Sequence, residues 1–156
     1  MSQNIALKLQ EHQLELPPAV APAANYVPFV VTGNQVIISG QLPMKEGAAQ
    51  FIGKLGKDFS VEEGKKAAEL CLLNVLTHLK VACGGDFAKV KRCVRLGVFV
   101  NSTPDFVDQP QVANGASDLM VALFGKAGEH ARAAVGVTQL PRGVAVEVEA
   151  QFEIVV

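Results

Sequence analysis

The chain has 156 residues, of which 49% are hydrophobic and 19% are charged, and its formal net charge is −1. This length suits one domain with a buried core, and the composition argues against intrinsic disorder. The sequence has no basic block of the kind found in nucleic-acid binders, and no apolar run approaches the roughly 20 residues that span a bilayer. We therefore expect a single domain over residues 1–156, with no membrane segment and no tight binding to nucleic acid.

Residues 1–22 are expected to form an N-terminal extension within that domain. Its polar and apolar residues alternate, and it carries Glu11 and Glu15, so it does not resemble a secretory signal. The pattern predicts a short amphipathic helix from Ile5 to His12. The stretch "LPPAVAPAAN" then ends the helix, because proline fixes φ and removes a backbone donor.

The three cysteines, Cys71, Cys83 and Cys93, have neither CxxC spacing nor histidine partners. They indicate buried thiols of a reduced compartment rather than a disulfide framework or a zinc site. We therefore expect a cytoplasmic protein without a metal. The glycine patterns of dinucleotide-binding and phosphate-binding loops are also absent, so no cofactor is expected.

Two β-rich runs, Tyr26–Val31 and Gln35–Ser39, flank Thr32-Gly33-Asn34 and predict a hairpin, with an irregular strand to follow near Phe51. A helix begins at Ser60, which forms a capping box with Glu63. Its apolar stripe continues to Gly84-Gly85, and His78 is expected on or beside its polar face.

The run "VKRCVRLGVFV" predicts the next strand. Alternation places most of its valines and Leu96 on one face, and Lys91, Cys93 and Arg95 on the other. A second helix is predicted from Gln111 to Phe124. The segment from His130 to Phe152 then predicts two strands joined as a closing hairpin, with its turn near Leu140-Pro141-Arg142-Gly143.

The resulting order is β-β-(β)-α-β-α-β-β, which suits an α+β fold with a mixed sheet covered on one face by two helices. Two helices do not cover the second face of that sheet. Apolar residues on both sides of the last strands therefore predict self-association. The residues concerned are Val135, Val137, Val144, Val146 and Val148.

Three motifs, "VIISGQLP", "VFVNSTPDF" and "ARAAVGVTQLPRGVAVEVEA", closely resemble the Rid family, also called YjgF-like or the endoribonuclease L-PSP family. The resemblance covers about Tyr26 to Phe152. It implies a chorismate-mutase-like fold and a homotrimer with sites in clefts between subunits. It also implies hydrolysis of reactive enamine or imine intermediates, which arise from pyridoxal-phosphate enzymes, to 2-oxo acids and ammonia.

The resemblance also implies roles for single residues. Arg132 matches the arginine that grips the substrate carboxylate, and Glu147 matches the glutamate that orients water. Ser39-Gly40, Tyr26 and Asn114 match residues that line the cleft. Ala134 stands where well-studied members carry cysteine, and this departure, with the N-terminal extension and the longer 114–130 segment, suggests a divergent branch.

The chemistry of these residues agrees with such roles, but a structural alternative competes with them. A guanidinium binds a carboxylate in a bidentate manner, and a carboxylate can position or deprotonate water. If the two last strands form a hairpin, however, Arg132 lies near Glu147 and Glu149, and an Arg–Glu ion pair is a competing interpretation. We assign a functional role to Glu147 and a structural role to Glu149.

We keep two alternatives to a deaminase. The first is a non-catalytic trimer that binds small carboxylates. Ala134, which stands where well-studied members carry cysteine, is the reason for keeping it. The second is a ribonuclease, as the older family name suggests. The lack of a basic surface argues against the second alternative.

Overall fold

A five-stranded mixed sheet, with strand order β1-β2-β7-β5-β6, forms the centre of the computed structural model, which describes residues 4–22 and 24–156. Residues 1–3 of the predicted N-terminal extension, and residue 23 just beyond it, lie outside the described residues. Helices pack on one face of the sheet, so the predicted α+β fold is confirmed. The elements are α1 (Ile5–Glu11), β1 (Phe29–Thr32), β2 (Gln35–Gln41), β3 (Met44–Lys45), β4 (Ala48–Ala49), α2 (Val61–Ala82), β5 (Val90–Asn101), α3 (Gln109–Phe124), β6 (Ala131–Val137) and β7 (Val146–Ile154).

The two long helices follow the predicted periodicity. Ser60 caps α2 through the predicted box, since its hydroxyl accepts from Glu63 N and the Glu63 carboxylate accepts from Ser60 N. Helix α3 begins two residues earlier than predicted, with a proline in its first turn. The two helices pack closely at Gly115, where an added Cβ would collide with the carbonyl oxygen of Lys65.

The first helix and the hairpin match the prediction, except that β1 begins at Phe29, three residues later than predicted. Gly33, at φ 57°, and Asn34 turn the chain between β1 and β2, which pair in antiparallel fashion. Helix α1 buries Ile5 and Leu9. The small β3–β4 hairpin was not predicted, and near Phe51 the structure has only an isolated bridge at Ile52.

Strand β5 keeps its predicted inward face from Leu96 onward, where Leu96, Val98 and Val100 are buried, but differs from the prediction at its start. Its pairing with β7 shifts register between Val90 and Arg92 and again between Cys93 and Arg95. A bulge adds one residue and so reverses the alternation of side chains. Cys93 therefore points into the core, where Val94 had been expected.

The predicted closing hairpin is wrong. Strand β6 is parallel to β5, β7 is antiparallel to β5, and β5 lies between them. Residues 138–145 are enough to cross one intervening strand, because neighbouring strands are only about 4.8 Å apart. The region near Leu140–Gly143 is a short 3₁₀ turn within this connection.

The uncovered face of the sheet is also less apolar than expected. Val144, Val146 and Val148 are buried, whereas Val135 is exposed and Val137 is half-buried. Polar side chains follow the centre of the uncovered face along β7, and exposed apolar side chains lie towards its edges. The polar set is Glu147, Glu149, Gln151 and Glu153, and the apolar set includes Val30, Ile37 and Val135.

The three cysteines are free and buried, as predicted. His78 is buried, with 5% of its surface exposed, so its expected place beside the polar face of α2 is wrong. Burial lowers the pKa of this imidazole. Among the described residues, no helix is long and apolar enough to cross a membrane.

Candidate functional site

Arg132 lies on β6, an edge strand of the sheet. In the β5–β6 register it pairs with Leu96, whose side chain is buried in the core, so Arg132 projects on the helix-covered side. Its Nη1 donates hydrogen bonds to Asn114 Oδ1 at 2.8 Å and to Ser117 Oγ at 3.1 Å, both on α3. Helix α3 thus fixes one end of an exposed guanidinium and leaves the other nitrogens available to a ligand.

A histidine extends this arrangement. His130 Nδ1 lies 2.6 Å from Gly128 O, which can only accept, so Nδ1 carries the hydrogen. In the neutral ring Nε2 then accepts from the Ser117 hydroxyl at 2.9 Å, and Ser117 Oγ accepts from Arg132. We call Asn114, Ser117, His130 and Arg132 the edge cluster.

The sequence places His130 two residues before Arg132, but sequence reasoning missed Ser117. Asn114 and Ser117 are three residues apart, which puts both on one face of a helix. That spacing was the available signal, because a helix that presents Asn114 to Arg132 must present Ser117 as well.

Glu147 lies on β7, opposite a bulge in β2. The β2–β7 register shifts between Ile38 and Gln41, and Ser39 and Gly40 occupy this irregularity. The Glu147 carboxylate lies over Gly40, where an added Cβ would collide with Glu147 Oε1. Glycine is therefore required at this position for the carboxylate to lie where it does.

Ser39 connects this region to Tyr26. The Ser39 hydroxyl donates to Val27 O at 2.7 Å, and its backbone nitrogen donates to Pro28 O at 2.9 Å. The segment carrying Tyr26 therefore runs beside the bulge, and the tyrosine itself is 55% exposed. We call Tyr26, Ser39, Gly40 and Glu147 the bulge cluster.

The environment of Glu147 favours the protonated acid. Burial raises the pKa of Glu147, and the nearby charge of Glu149 raises it further. Glu149 itself pairs with Arg95 at 3.2 Å across the uncovered face. The glutamate of β7 that forms an ion pair is therefore Glu149, and its partner is Arg95. The ion pair between Arg132 and Glu147 or Glu149, which was the competing interpretation, is not formed.

The edge cluster and the bulge cluster lie on opposite faces of the sheet. Arg132 is in register with Leu96, Glu147 is in register with Phe99, and Leu96 and Phe99 are an odd number of residues apart on one strand. Side chains alternate along a strand, so the two face opposite ways. One copy of the chain does not present both groups to one small ligand.

Two clefts of the described structure lie elsewhere. A groove of about 1450 Å³ separates the N-terminal segment from α2, and a cleft of about 480 Å³ lies at the ends of β5 and β6. Neither is lined by a predicted site residue. Within residues 4–22 and 24–156, no group of three or more His, Cys, Asp or Glu side chains is placed to hold a metal ion.

Residues 7–148 match the family described as "YjgF/chorismate mutase-like, putative endoribonuclease". The chain belongs to this family. The Rid-family resemblance of the sequence is therefore confirmed. Protein TCP17 of Trypanosoma cruzi is 49% identical over 154 residues, which cover 98% of this chain and 96% of that protein.

The fold is shared with a solved structure as well. The crystal structure of the protein Atu1372 from Agrobacterium tumefaciens matches with a TM-score of 0.92 and 44% identity, over 99% of this chain and 96% of that chain. The 2-iminobutanoate/2-iminopropanoate deaminase of Dermatophagoides farinae is 27% identical over 136 residues, which cover 87% of this chain and 91% of that protein.

Proposed function

We propose that this Rid-family protein hydrolyses small 2-imino acids, or their enamine tautomers, to 2-oxo acids and ammonia. The observation that carries the proposal is Arg132, an exposed guanidinium held on one side by Asn114 and Ser117. A planar fork fixed in this way suits a carboxylate, which every substrate of this class carries. The name of the Dermatophagoides relative supports the same reaction.

The chemistry needs only two further parts, a water and a group that moves protons. The protonated C=N carbon of the substrate is electrophilic, so water adds there to give a carbinolamine. When the carbinolamine collapses, the C–N bond breaks, the hydroxyl oxygen becomes the carbonyl of the 2-oxo acid, and the hydroxyl proton leaves with the ammonia as ammonium. Glu147 would take the proton from water and return it to the departing nitrogen, and a raised pKa makes its carboxylate a stronger base for the first of these steps.

The placement of these groups leads us to propose that two copies of the chain form each site. Arg132 and Glu147 face opposite sides of one sheet, so Arg132 of one copy would act with Glu147 of another. Exposed apolar residues towards the edges of the uncovered face, including Val30 and Ile37, favour association of copies. A homotrimer with clefts between subunits satisfies this requirement.

The test is a coupled assay in which an amino-acid oxidase generates imines and release of 2-oxo acid is followed. We expect acceleration by the wild type, none by Arg132→Ala, and full activity in Arg142→Ala. The control removes an exposed arginine from the 3₁₀ turn near residue 142. Full activity in Arg132→Ala would overturn the mechanism.

A complementation experiment tests the shared site. Arg132→Ala and Glu147→Gln chains are each expected to be inactive, and mixed oligomers from co-expression should regain part of the activity. Recovery requires that one intact arginine and one intact glutamate meet from different copies. An absence of recovery in verified mixed oligomers would place both residues in sites formed by single copies.

One observation favours a second candidate, a non-catalytic binder of small carboxylates. Ala134 lies on the same face of β6 as Arg132, two residues further on, and packs against the core without a polar group. Such a binder would show saturable binding of 2-oxo acids that Arg132→Ala weakens. It would not accelerate imine hydrolysis over buffer.

A further inference from the structure

The edge cluster contains a serine and a histidine in the arrangement of a hydrolase nucleophile and its base. Ser117 Oγ lies 2.9 Å from His130 Nε2. His130 Nδ1 lies 2.6 Å from Gly128 O and carries the hydrogen, so Nε2 of the neutral ring is the basic nitrogen. A nucleophile, a base within hydrogen-bond reach and a third group that orients the base are the three parts of such a site. The proposed deamination leaves the basic nitrogen of His130 unused.

The turn before β6 holds this histidine in place. Gly128 is buried, and an added Cβ there would lie 2.4 Å from Met120 O, so the turn packs directly against α3. At the next residue, Glu129 O accepts from Arg92 Nη2 at 3.0 Å, which ties the turn to β5. Gly128 O is therefore a fixed acceptor for His130 Nδ1, as the carboxylate is in a Ser-His-Asp triad. Such an acceptor keeps the ring in one tautomer and one orientation.

Arg132 brings a positive charge to the serine. Its Nη1 donates to Ser117 Oγ at 3.1 Å and to Asn114 Oδ1 at 2.8 Å. A hydroxyl oxygen has two lone pairs, so one accepts from Arg132 and the other remains for attack on a substrate. Of the five N–H donors of an arginine, three remain to bind the oxyanion that an attacked carbonyl becomes. The nucleophile, its base and a donor for the oxyanion are thus joined by hydrogen bonds.

The serine can be reached from solvent, and its surroundings suit a small substrate. Ser117 and His130 are half-buried, and Arg132 is exposed. These three residues lie outside both large clefts of the described structure, so a long acyl chain would remain in water. Ala134, on the same face of β6 as Arg132, adds only a methyl group beside the site. An ester of a short acid is therefore the substrate class that fits.

We propose that Ser117 and His130 form a second catalytic centre, which hydrolyses esters of short carboxylic acids. Ser117 Oγ attacks the ester carbonyl carbon and gives its proton to His130 Nε2, while Arg132 binds the oxyanion. The bond from that carbon to the alcohol oxygen then breaks, and the alcohol leaves with the proton from Nε2. Water attacks the acyl-serine and gives a proton to Nε2. The acid is released as this proton returns to Ser117 Oγ.

The test is labelling of the full-length protein with a fluorophosphonate, which forms a bond from a nucleophilic oxygen to phosphorus and releases fluoride. Peptide mass spectrometry locates the label, and we expect it on Ser117. His130→Phe keeps a ring and His130→Gln keeps hydrogen-bonding groups, but neither is a base, so each should slow labelling by about 10²-fold or more. His12→Phe, which removes a matched exposed histidine, should leave the rate unchanged.

Hydrolysis of p-nitrophenyl acetate then measures turnover. We expect the wild type to release p-nitrophenol and to carry a transient acetyl group on Ser117, and Ser117→Ala to do neither. Equal labelling in the wild type and both His130 variants, or an unlabelled Ser117 under conditions that label chymotrypsin, would overturn the dyad. Turnover no faster than that of Ser117→Ala would overturn ester hydrolysis. No imine is used, so failure here is independent of the proposed deamination.

Discussion

The edge cluster and the bulge cluster contrast in exposure, charge and hydrogen bonding. The edge cluster is cationic and exposed, and Asn114 and Ser117 hold its arginine in place. The bulge cluster contains a half-buried carboxyl that accepts no hydrogen bond from the described residues and whose pKa is raised. The first arrangement suits recognition of an anion and the second suits proton transfer. The two tasks that we propose for these clusters therefore fall on opposite faces of one sheet.

The division of tasks predicts opposite kinetic effects for two conservative substitutions. Glu147→Gln keeps the shape but cannot take a proton, so kcat should fall by about 10²–10⁴-fold, with KM little changed. Arg132→Lys keeps the charge but loses the fork, so KM should rise far more than kcat falls. Steady-state kinetics in the oxidase-coupled assay measure both. A rise in KM with unchanged kcat for Glu147→Gln would contradict the assignment of proton transfer to the bulge cluster.

Gly40→Ala disturbs the bulge cluster without removing a functional group. The added methyl collides with the Glu147 carboxylate and displaces it, and misplacement of a catalytic group by about 1 Å can cost about 10²-fold in rate.

Gly97→Ala is the matched control, because its methyl meets Glu149 Oε1 on the same face of the sheet. We expect kcat to fall about 10²-fold in Gly40→Ala and to stay within a few-fold in Gly97→Ala. Equal losses would show that any crowding of this face lowers turnover, whichever glutamate is displaced.

Ser117→Ala tests how the edge cluster orients its arginine. It removes one hydrogen bond that the charged guanidinium of Arg132 donates and breaks the link to His130, while Asn114 still holds the guanidinium. A hydrogen bond of a charged group contributes about 1.5–3 kcal/mol, and water replaces part of it at this exposed arginine, so KM should rise roughly 10-fold at constant kcat. Asp118→Asn, at the exposed next position of α3, should change neither constant. A fall in kcat alone would assign Ser117 to the chemical step.

The sequence predicted most elements of the fold because their signals are local. The capping box at Ser60 and the apolar stripes of α2 and α3 lie within single helices. Strand pairing depends on distant segments, and a period-two pattern is the same whichever strand lies alongside. No pattern within residues 130–152 indicates that β5 lies between β6 and β7. The bulge that turns the Cys93 side chain inward depends on the pairing of β5 with β7, which lies far along the chain.

The candidate site was predictable to a similar extent. The resemblance named Arg132 and Asn114, and the structure brings them into contact. It also named Gly40 and Glu147, which lie against each other. The separation of these two pairs by the sheet was not predictable, because the face of Arg132 is set by its register with Leu96.

The smallest expected effect concerns the pKa of Glu147. Burial is the main cause of its raised pKa, and the charge of Glu149 is the second cause. If Glu147 must be ionised to take a proton from water, activity falls as the pH falls through its pKa. Glu149→Gln removes one cause and leaves Arg95 without its ion-pair partner, and both changes lower that pKa. The acid limb of the kcat/KM profile should therefore move to lower pH, whereas Glu153→Gln, whose partner is Lys91, should leave it in place. An acid limb that is unchanged in Glu149→Gln would mean that a group other than Glu147 controls it.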